Sequence, residues 1–207
     1  MPDLSTLYLY RMTHIENIPH ILQYGITHSG SVNANPHFKP IGDGRLITMR
    51  NGFVLNNGRH LGEYIPFYFG TRMPMLYVIQ KGFNMVVPTP AESIVYCVCC
   101  VQGIIDLQLE YVFTDGHAVD RFSAQFAPAD IQNIHTIIDT NAIKARYWKD
   151  ENDLDIKRKK EAEFLVLGDI AQDAIIGYIV ATENAKNRII GFGADTSKVH
   201  VKPEYYF

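Results

Sequence analysis

Cysteine is scarce in this 207-residue chain, and its three copies, Cys97, Cys99 and Cys100, crowd into SIVYCVCCV. That spacing matches no usual zinc knuckle, and residues so close do not form ordinary bridges, so neither a disulfide scaffold nor a metal site is expected. Excess positive charge is missing too. The formal net charge is −3, which leaves any polyanion site to a local patch. No uncharged apolar run reaches the ~18 residues of a spanning helix. The opening MPDLSTLYLYRMTH lacks the cationic leader and apolar core of a secretion signal. A cytoplasmic protein with no membrane partner is therefore expected. Familiar catalytic signatures are also absent. GFGAD at 191–195 has the wrong spacing for GxGxxG, and GxxxxGK[ST], GxSxG and HExxH do not occur. Dehydrogenase, P-loop ATPase, serine hydrolase and zinc protease readings all lose ground.

What is there is a globular composition, 47% hydrophobic and 12% aromatic, long enough for one domain with a real core. No repeat or linker divides residues 1–207. LYLYRM (7–12) and EYIPFYFG (63–70) read as aromatic strands, and SIVYCVCCV (93–101), LEYVFTDG (109–116), EFLVL (163–167), IIGYIVAT (175–182) and VHVKPEYYF (199–207) as further ones. Ile15, Ile18, Ile21 and Leu22 recur at helical spacing after Thr13, with Gly25 as a stop. PADIQNIHTII (128–138) and ENAKNRII (183–190) read as helices, and MLYVIQKG (75–82) as a helix or a strand. Residues 26–45, rich in Ser, Asn, Pro and Gly, read as a long loop of the kind that is usually functional. Strands outnumber helices and lie too close together for βαβ crossovers, which favours an α+β fold with largely antiparallel sheets.

Polar residues punctuate the aromatic strands. Arg11, Thr13, His14 and Asn17 follow the first, Arg45 and Arg50 the long loop, and Tyr64, Tyr68, Thr71 and Arg72 decorate the second. In KKEAEFLVLG (159–168), Glu161 and Glu163 stand two apart at a strand entrance, so both project to one face. Taken singly, each has an ordinary structural reading: ion pairing for an arginine, ring packing for a tyrosine.

Taken together, LYRMTHIENIPHIL (9–22), EYIPFYFGTRMPMLY (63–77), YVFTDGHA (111–118), RYWKD (146–150) and KKEAEFLV (159–166) resemble, in order, the segments of the DarT family of DNA ADP-ribosyltransferase toxins. The 63–77 block is the most specific of these. The resemblance implies a single ADP-ribosyltransferase domain of split antiparallel sheets forming an NAD cleft, with flanking helices and no metal. It makes Glu161-Ala162-Glu163 the (Gln/Glu)-x-Glu signature of such enzymes, with Glu163 catalytic and Glu161 facing the acceptor. Arg50 aligns with the family's essential arginine, Arg45 being the competing alignment. Arg11 stands where the family commonly has His.

Further implied contacts follow from the same resemblance. Arg11, Thr13, His14, Asn17, Tyr64, Phe67, Tyr68, Arg72 and Met75 would hold NAD, the rings stacking on its bases. Single-stranded DNA would lie beside Glu161 on Tyr147, Trp148, Lys149, Arg158 and Lys159, because cations that track phosphates and aromatics that stack bases suit it. The bland reading of 144–160 is a solvated, mixed-charge helix, since Asp150, Glu151, Asp153 and Asp155 dilute its cations. A thymine or guanine target and a DNA ADP-ribosylglycohydrolase antitoxin complete the expectation. The alternatives are transfer to RNA or protein, or an NAD- or nucleic-acid-binding module without catalysis.

Overall fold

A computed structural model describes residues 3–207 of the chain. Its eight strands are β1 (Tyr8–His14), β2 (Tyr64–Tyr68), β3 (Ile94–Cys100), β4 (Glu110–Thr114), β5 (Gln125–Phe126), β6 (Glu163–Leu167), β7 (Gly177–Val180) and β8 (Val199–Val201). They form one sheet in the order β5-β4-β6-β2-β1-β3-β7-β8, antiparallel throughout except where β8 runs parallel to β7. The helices are α1 (Ile18–Tyr24), α2 (Gly44–Gly52), α3 (Pro74–Lys81), α4 (Val101–Asp106), α5 (Ile134–Ile137), α6 (Thr140–Lys144), α7 (Ile156–Lys160) and α8 (Glu183–Gly191).

The sheet nearly parts in the middle. β1 runs against β3 along its whole length, but meets β2 only at Tyr10↔Tyr68. Pro66 lies in β2 and has no N–H to give a ladder, and its carbonyl is taken by Arg11 Nη1 at 3.0 Å. A guanidinium thus stands where backbone pairing would continue. The strand-rich α+β expectation holds, with the split lying between β1 and β2.

Side-chain alternation distributes the core. Leu9, Phe67, Cys97, Phe113 and Phe164 fill the main core on one face. The opposite face carries two separate apolar patches. One gathers Leu76, Ile94, Tyr96 and Ile179 beneath α3; the other gathers Leu55, Leu61, Tyr64 and Leu165 over β2 and β6. By register Tyr10, Tyr68 and Glu163 share this second face, so they occupy the seam between the patches.

Several elements differ from their sequence reading. The 74–82 segment, open between helix and strand in the sequence, is helix, with Pro74 in its first turn and Gly82 left-handed at φ 72 as its stop. The long loop ends earlier than expected, because Asp43 caps α2 by accepting the Arg45 N–H at 2.9 Å. The 128–138 helix starts as a 3-10 turn over Pro128–Asn133 and becomes α5. β8 stops at Val201, and Pro203 begins a 3-10 turn that carries Tyr206 into the core. There its hydroxyl donates to the Ile179 carbonyl at 2.8 Å. All three cysteines are free, with Cys97 and Cys99 buried in β3. No helix among the described residues is long and apolar enough to cross a membrane.

Candidate active site

Glu163 begins β6 opposite Tyr68 and is fully buried. Its backbone N–H donates to Thr114 Oγ1 at 3.1 Å, which fixes the strand entrance against β4. A buried carboxylate needs partners for its charge, and three groups converge on it. Arg50 grips it through two parallel bonds, Nη1 to Oε1 at 3.0 Å and Nη2 to Oε2 at 2.7 Å. The Ala118 N–H donates to Oε1 at 2.9 Å, and His117 Nε2 lies 3.9 Å from the same oxygen. Burial alone pushes the Glu163 carboxyl up, but Arg50, aided by His117 and the Ala118 N–H, more than offsets it and holds the group below its ordinary value. Burial likewise opposes the charge on Arg50, and Glu163 overrides it to raise that pKa. The fork geometry that arginine supplies and lysine lacks makes this pairing possible.

Arg11 and Tyr68 complete the cluster. Burial lowers the Arg11 pKa and raises that of Tyr68, and each responds to the charges of Arg50 and Glu163. Arg50 and Tyr68 thus lie with Glu163 at the seam between β1 and β2, while Arg11, opposite Cys97 in register, enters the seam at the Pro66 carbonyl. Of the two candidate arginines, Arg50 reaches Glu163 and Arg45 turns to Asp43 and the Asn84 carbonyl.

At the far end of β1, Thr13, His14 and Asn17 organise the long loop. Asn17 Nδ2 donates to Thr13 Oγ1 at 2.9 Å and to the Lys39 carbonyl at 2.8 Å, while its Oδ1 accepts the Lys39 N–H. His14 Nδ1 accepts the Glu16 N–H. Asp169 holds the other end of the loop through the His28 N–H and the Ser31 hydroxyl. The segment is thus pinned beside the seam at both ends.

The remaining expected NAD contacts scatter. Tyr64 lies within the patch over β2 and β6, its hydroxyl accepting from Asn57 Nδ2. Phe67 is fully buried in the main core, on the face away from Glu163. Its ring is committed to packing, so the expected stacking role does not fit this placement. Met75 packs at the margin of the patch beneath α3. Arg72 points elsewhere, stacked 4.0 Å over the Phe207 ring and donating to the Tyr206 carbonyl.

The cations before the signature are also less available than their run suggests. Arg158 makes two bonds to Asp155, each 2.7 Å, and one to Asp115 at 2.9 Å. Lys159 pairs with Asp153 at 3.1 Å. The mixed-charge reading describes this helix better than a free basic edge does. Trp148 sits edge-on to Tyr77 and Phe207, whereas Tyr147 and Lys149 are exposed.

Glu161 faces a cleft of about 420 Å³ shared with His117, Asp120, Phe122 and Lys157. Burial raises its carboxyl to about 7. A carboxyl bound to its proton more tightly when folded loses stability as pH climbs from its unfolded pKa, about 4.5, through the folded value. Glu161→Gln is therefore expected to stabilise the fold by roughly 3 kcal/mol at pH 8 and by little at pH 4. Thermal unfolding at both pH values checks this; an equal gain at each would refute it.

His117 and Ala118 were not singled out from sequence. They fall within YVFTDGHA, but a backbone N–H that caps a carboxylate has no residue-type signature.

The profile of the family described as "ssDNA thymidine ADP-ribosyltransferase, DarT" matches residues 10–207. A DNA ADP-ribosyl transferase of Thermus sp. (strain 2.9) is 34% identical over 162 residues, covering 76% of this chain and 73% of that protein. A DNA ADP-ribosyl transferase–DNA ADP-ribosyl glycohydrolase fusion protein of Thermosipho africanus is 31% identical over 160 residues, 76% of this chain and 38% of the fusion. Solved structures agree. Thermus sp. 2.9 DarT in complex with ADP-ribosylated ssDNA superposes with a TM-score of 0.84 at 26% identity, covering 100% of this chain and 98% of that one. The same protein in complex with NAD+ gives 0.80, with 100% and 99% covered.

Proposed function

The chain belongs to the DarT family of DNA ADP-ribosyltransferases, and on that premise we propose that it transfers ADP-ribose from NAD to thymine in single-stranded DNA, as one transferase domain and as the toxin of a toxin–antitoxin pair. The observation that carries the reading is the buried Arg50–Glu163 pair at the seam, beside Arg11 and Tyr68. Breaking the bond from ribose to nicotinamide builds positive charge on the sugar. A preorganised carboxylate in a dry site stabilises that charge, and Glu163 is the carboxylate assigned to it.

Arg50 has two anions to serve. In this structure it neutralises Glu163, and no residue of α2, which carries it, is fully buried. Transfer of its fork onto the NAD pyrophosphate would release the carboxylate to the ribose, with Arg11 facing the same ribose and phosphate region. The loop pinned at Lys39 by Asn17, with Thr13 and His14, borders the cofactor. Glu161 sits beside His117 at the mouth of its cleft, with a pKa near 7. That placement suits taking the proton that the acceptor nitrogen must lose. A base edge is exposed to attack only when unpaired or extruded, which supports a single-stranded substrate.

The fused glycohydrolase of the Thermosipho protein supports a partner that removes the modification. Transfer to RNA or protein is the second reading, favoured by the neutralised state of Arg158 and Lys159. Incubation with NAD and oligonucleotides that each lack one base type decides between them. The proposed function requires one ADP-ribose added by mass, on thymine-containing DNA only. A guanine-only adduct overturns the base assignment, and adducts on RNA or protein alone overturn the DNA assignment.

A further inference from the structure

A second cavity, of about 480 Å³, opens at the end of the seam remote from Asn17. Tyr10, Phe69 and Tyr205 give it an aromatic wall, while Arg72, Lys144 and Arg146 bring positive charge. Tyr10 is two strands from Glu163 by register, through Tyr68, which places the wall roughly 10 Å from the catalytic strand position.

The rim is built rather than incidental. Lys160 is buried and donates to the carbonyls of Ile143 at 2.8 Å and Ala145 at 2.7 Å. Those two bonds flank Lys144 and leave its side chain exposed. Gly70 allows the same segment to approach closely, since a Cβ there would lie 2.6 Å from Ile143 Cγ2. Neither Lys144 nor Arg146 has an acidic partner within 4.0 Å among the described residues, unlike Arg158 and Lys159. Arg72 Nε is buried with no hydrogen-bond partner. Glu204 is the one acidic side chain of the lining. Exposed Tyr147 and Lys149 continue from the rim.

We propose that this cavity seats a nucleotide of the DNA strand neighbouring the one that is modified, its base against Tyr10, Phe69 and Tyr205 and its backbone phosphates on Lys144 and Arg146. The inference rests on DNA being the acceptor. The chemistry is that of single-strand binding, in which aromatic faces take bases and flexible cations track the backbone. The cavity volume falls in the range of small-ligand sites. A cationic rim that runs on along the surface to Lys149 suits a polymer passing through better than an enclosed free nucleotide. It also moves the DNA-facing charge from the Arg158–Lys159 helix to the 144–149 segment.

The test is Lys144→Glu combined with Arg146→Glu, both exposed positions. Steady-state transfer to an oligonucleotide should lose tenfold or more in kcat/KM at low salt. The log–log salt dependence should flatten by roughly 1.4, at about 0.7 per lost phosphate contact. The Kd of NAD, by calorimetry, should stay within twofold. Oligonucleotides carrying one neutral methylphosphonate linkage at successive positions locate the contact: wild type should lose rate at one or two adjoining steps, and the double variant should lose nothing further there. Weakened NAD binding would assign the cavity to the cofactor and overturn the proposal. Unchanged DNA kinetics, with DNA still modified, would overturn it while leaving the acceptor reading intact. Failure of the wild type to modify any DNA would remove both.

Discussion

Glu163→Gln is expected to cut ADP-ribosyl transfer to DNA by ~10³-fold in kcat, with the Kd of NAD changed only a few-fold. The substitution keeps shape and hydrogen-bonding capacity but removes the charge proposed to face the developing cation. Loss of one preorganised electrostatic group in a water-poor site costs about 10²–10³ in rate. The upper end is expected because Glu163 is fully buried, where water cannot substitute for it. Arg50 would be left without its counter-charge, so the variant must first be shown folded by its unfolding transition. Single-turnover mass spectrometry with excess enzyme separates chemistry from binding. Retention of transfer within tenfold of wild type, in a folded variant that binds NAD, would remove Glu163 from the catalytic role.

Replacing Arg50 by Ala should damage both stability and turnover. It strands a carboxylate with no solvent exposure, keeping only the Ala118 N–H and the more distant His117. Breaking one side of a buried pair costs about 3–5 kcal/mol, and this loss is expected at pH 7. The sign of its pH dependence follows from Glu163, whose folded pKa is depressed. The stability contributed by the pair is therefore present above the unfolded carboxylate value, near 4.5, and is lost as pH falls through the folded one. The gap between wild type and Arg50→Ala should accordingly narrow as the solution is acidified below about pH 4. Urea unfolding at pH 7 and pH 3.5 measures it. Arg50→Lys should recover part of the stability but little transfer, because an ammonium cannot reproduce the parallel bonds. A constant gap across that pH range would mean that Arg50 stabilises the fold by packing instead.

The residues that were legible in the sequence are those whose type carries the signal. Glu161 and Glu163 stood out by spacing, the aromatic strands by density, and the helical run after Thr13 by its isoleucines. Arg50 needed the family resemblance, and its placement over Glu163 needed the structure, because 113 residues separate them. Charge runs misled most. Arg158 and Lys159 look like free cations in KRKKEAE, yet their aspartates lie at 115, 153 and 155, partly close and partly distant in sequence. Phe67 alternates with Tyr68, so a one-residue difference decides between core and seam. A pattern of aromatics alone does not say which face is which. The parting of β1 from β2 was likewise invisible, since it depends on Pro66 and Arg11 meeting across strands more than fifty residues apart; the bond spans 55 positions.

The strand order has a consequence for how the protein is made. β6 inserts between β4 and β2, so the residue that completes the site is made well after Arg11, Arg50 and Tyr68. Pairings this distant form slowly because the loop must close before contacts repay it. A nascent chain, or one cut short before residue 163, holds every expected cofactor residue of the first two strands but has neither Glu163 nor the ladder that seats Tyr68 opposite it. For an enzyme that modifies DNA, activity would then switch on only once residue 163 has been made and β6 has paired between β4 and β2.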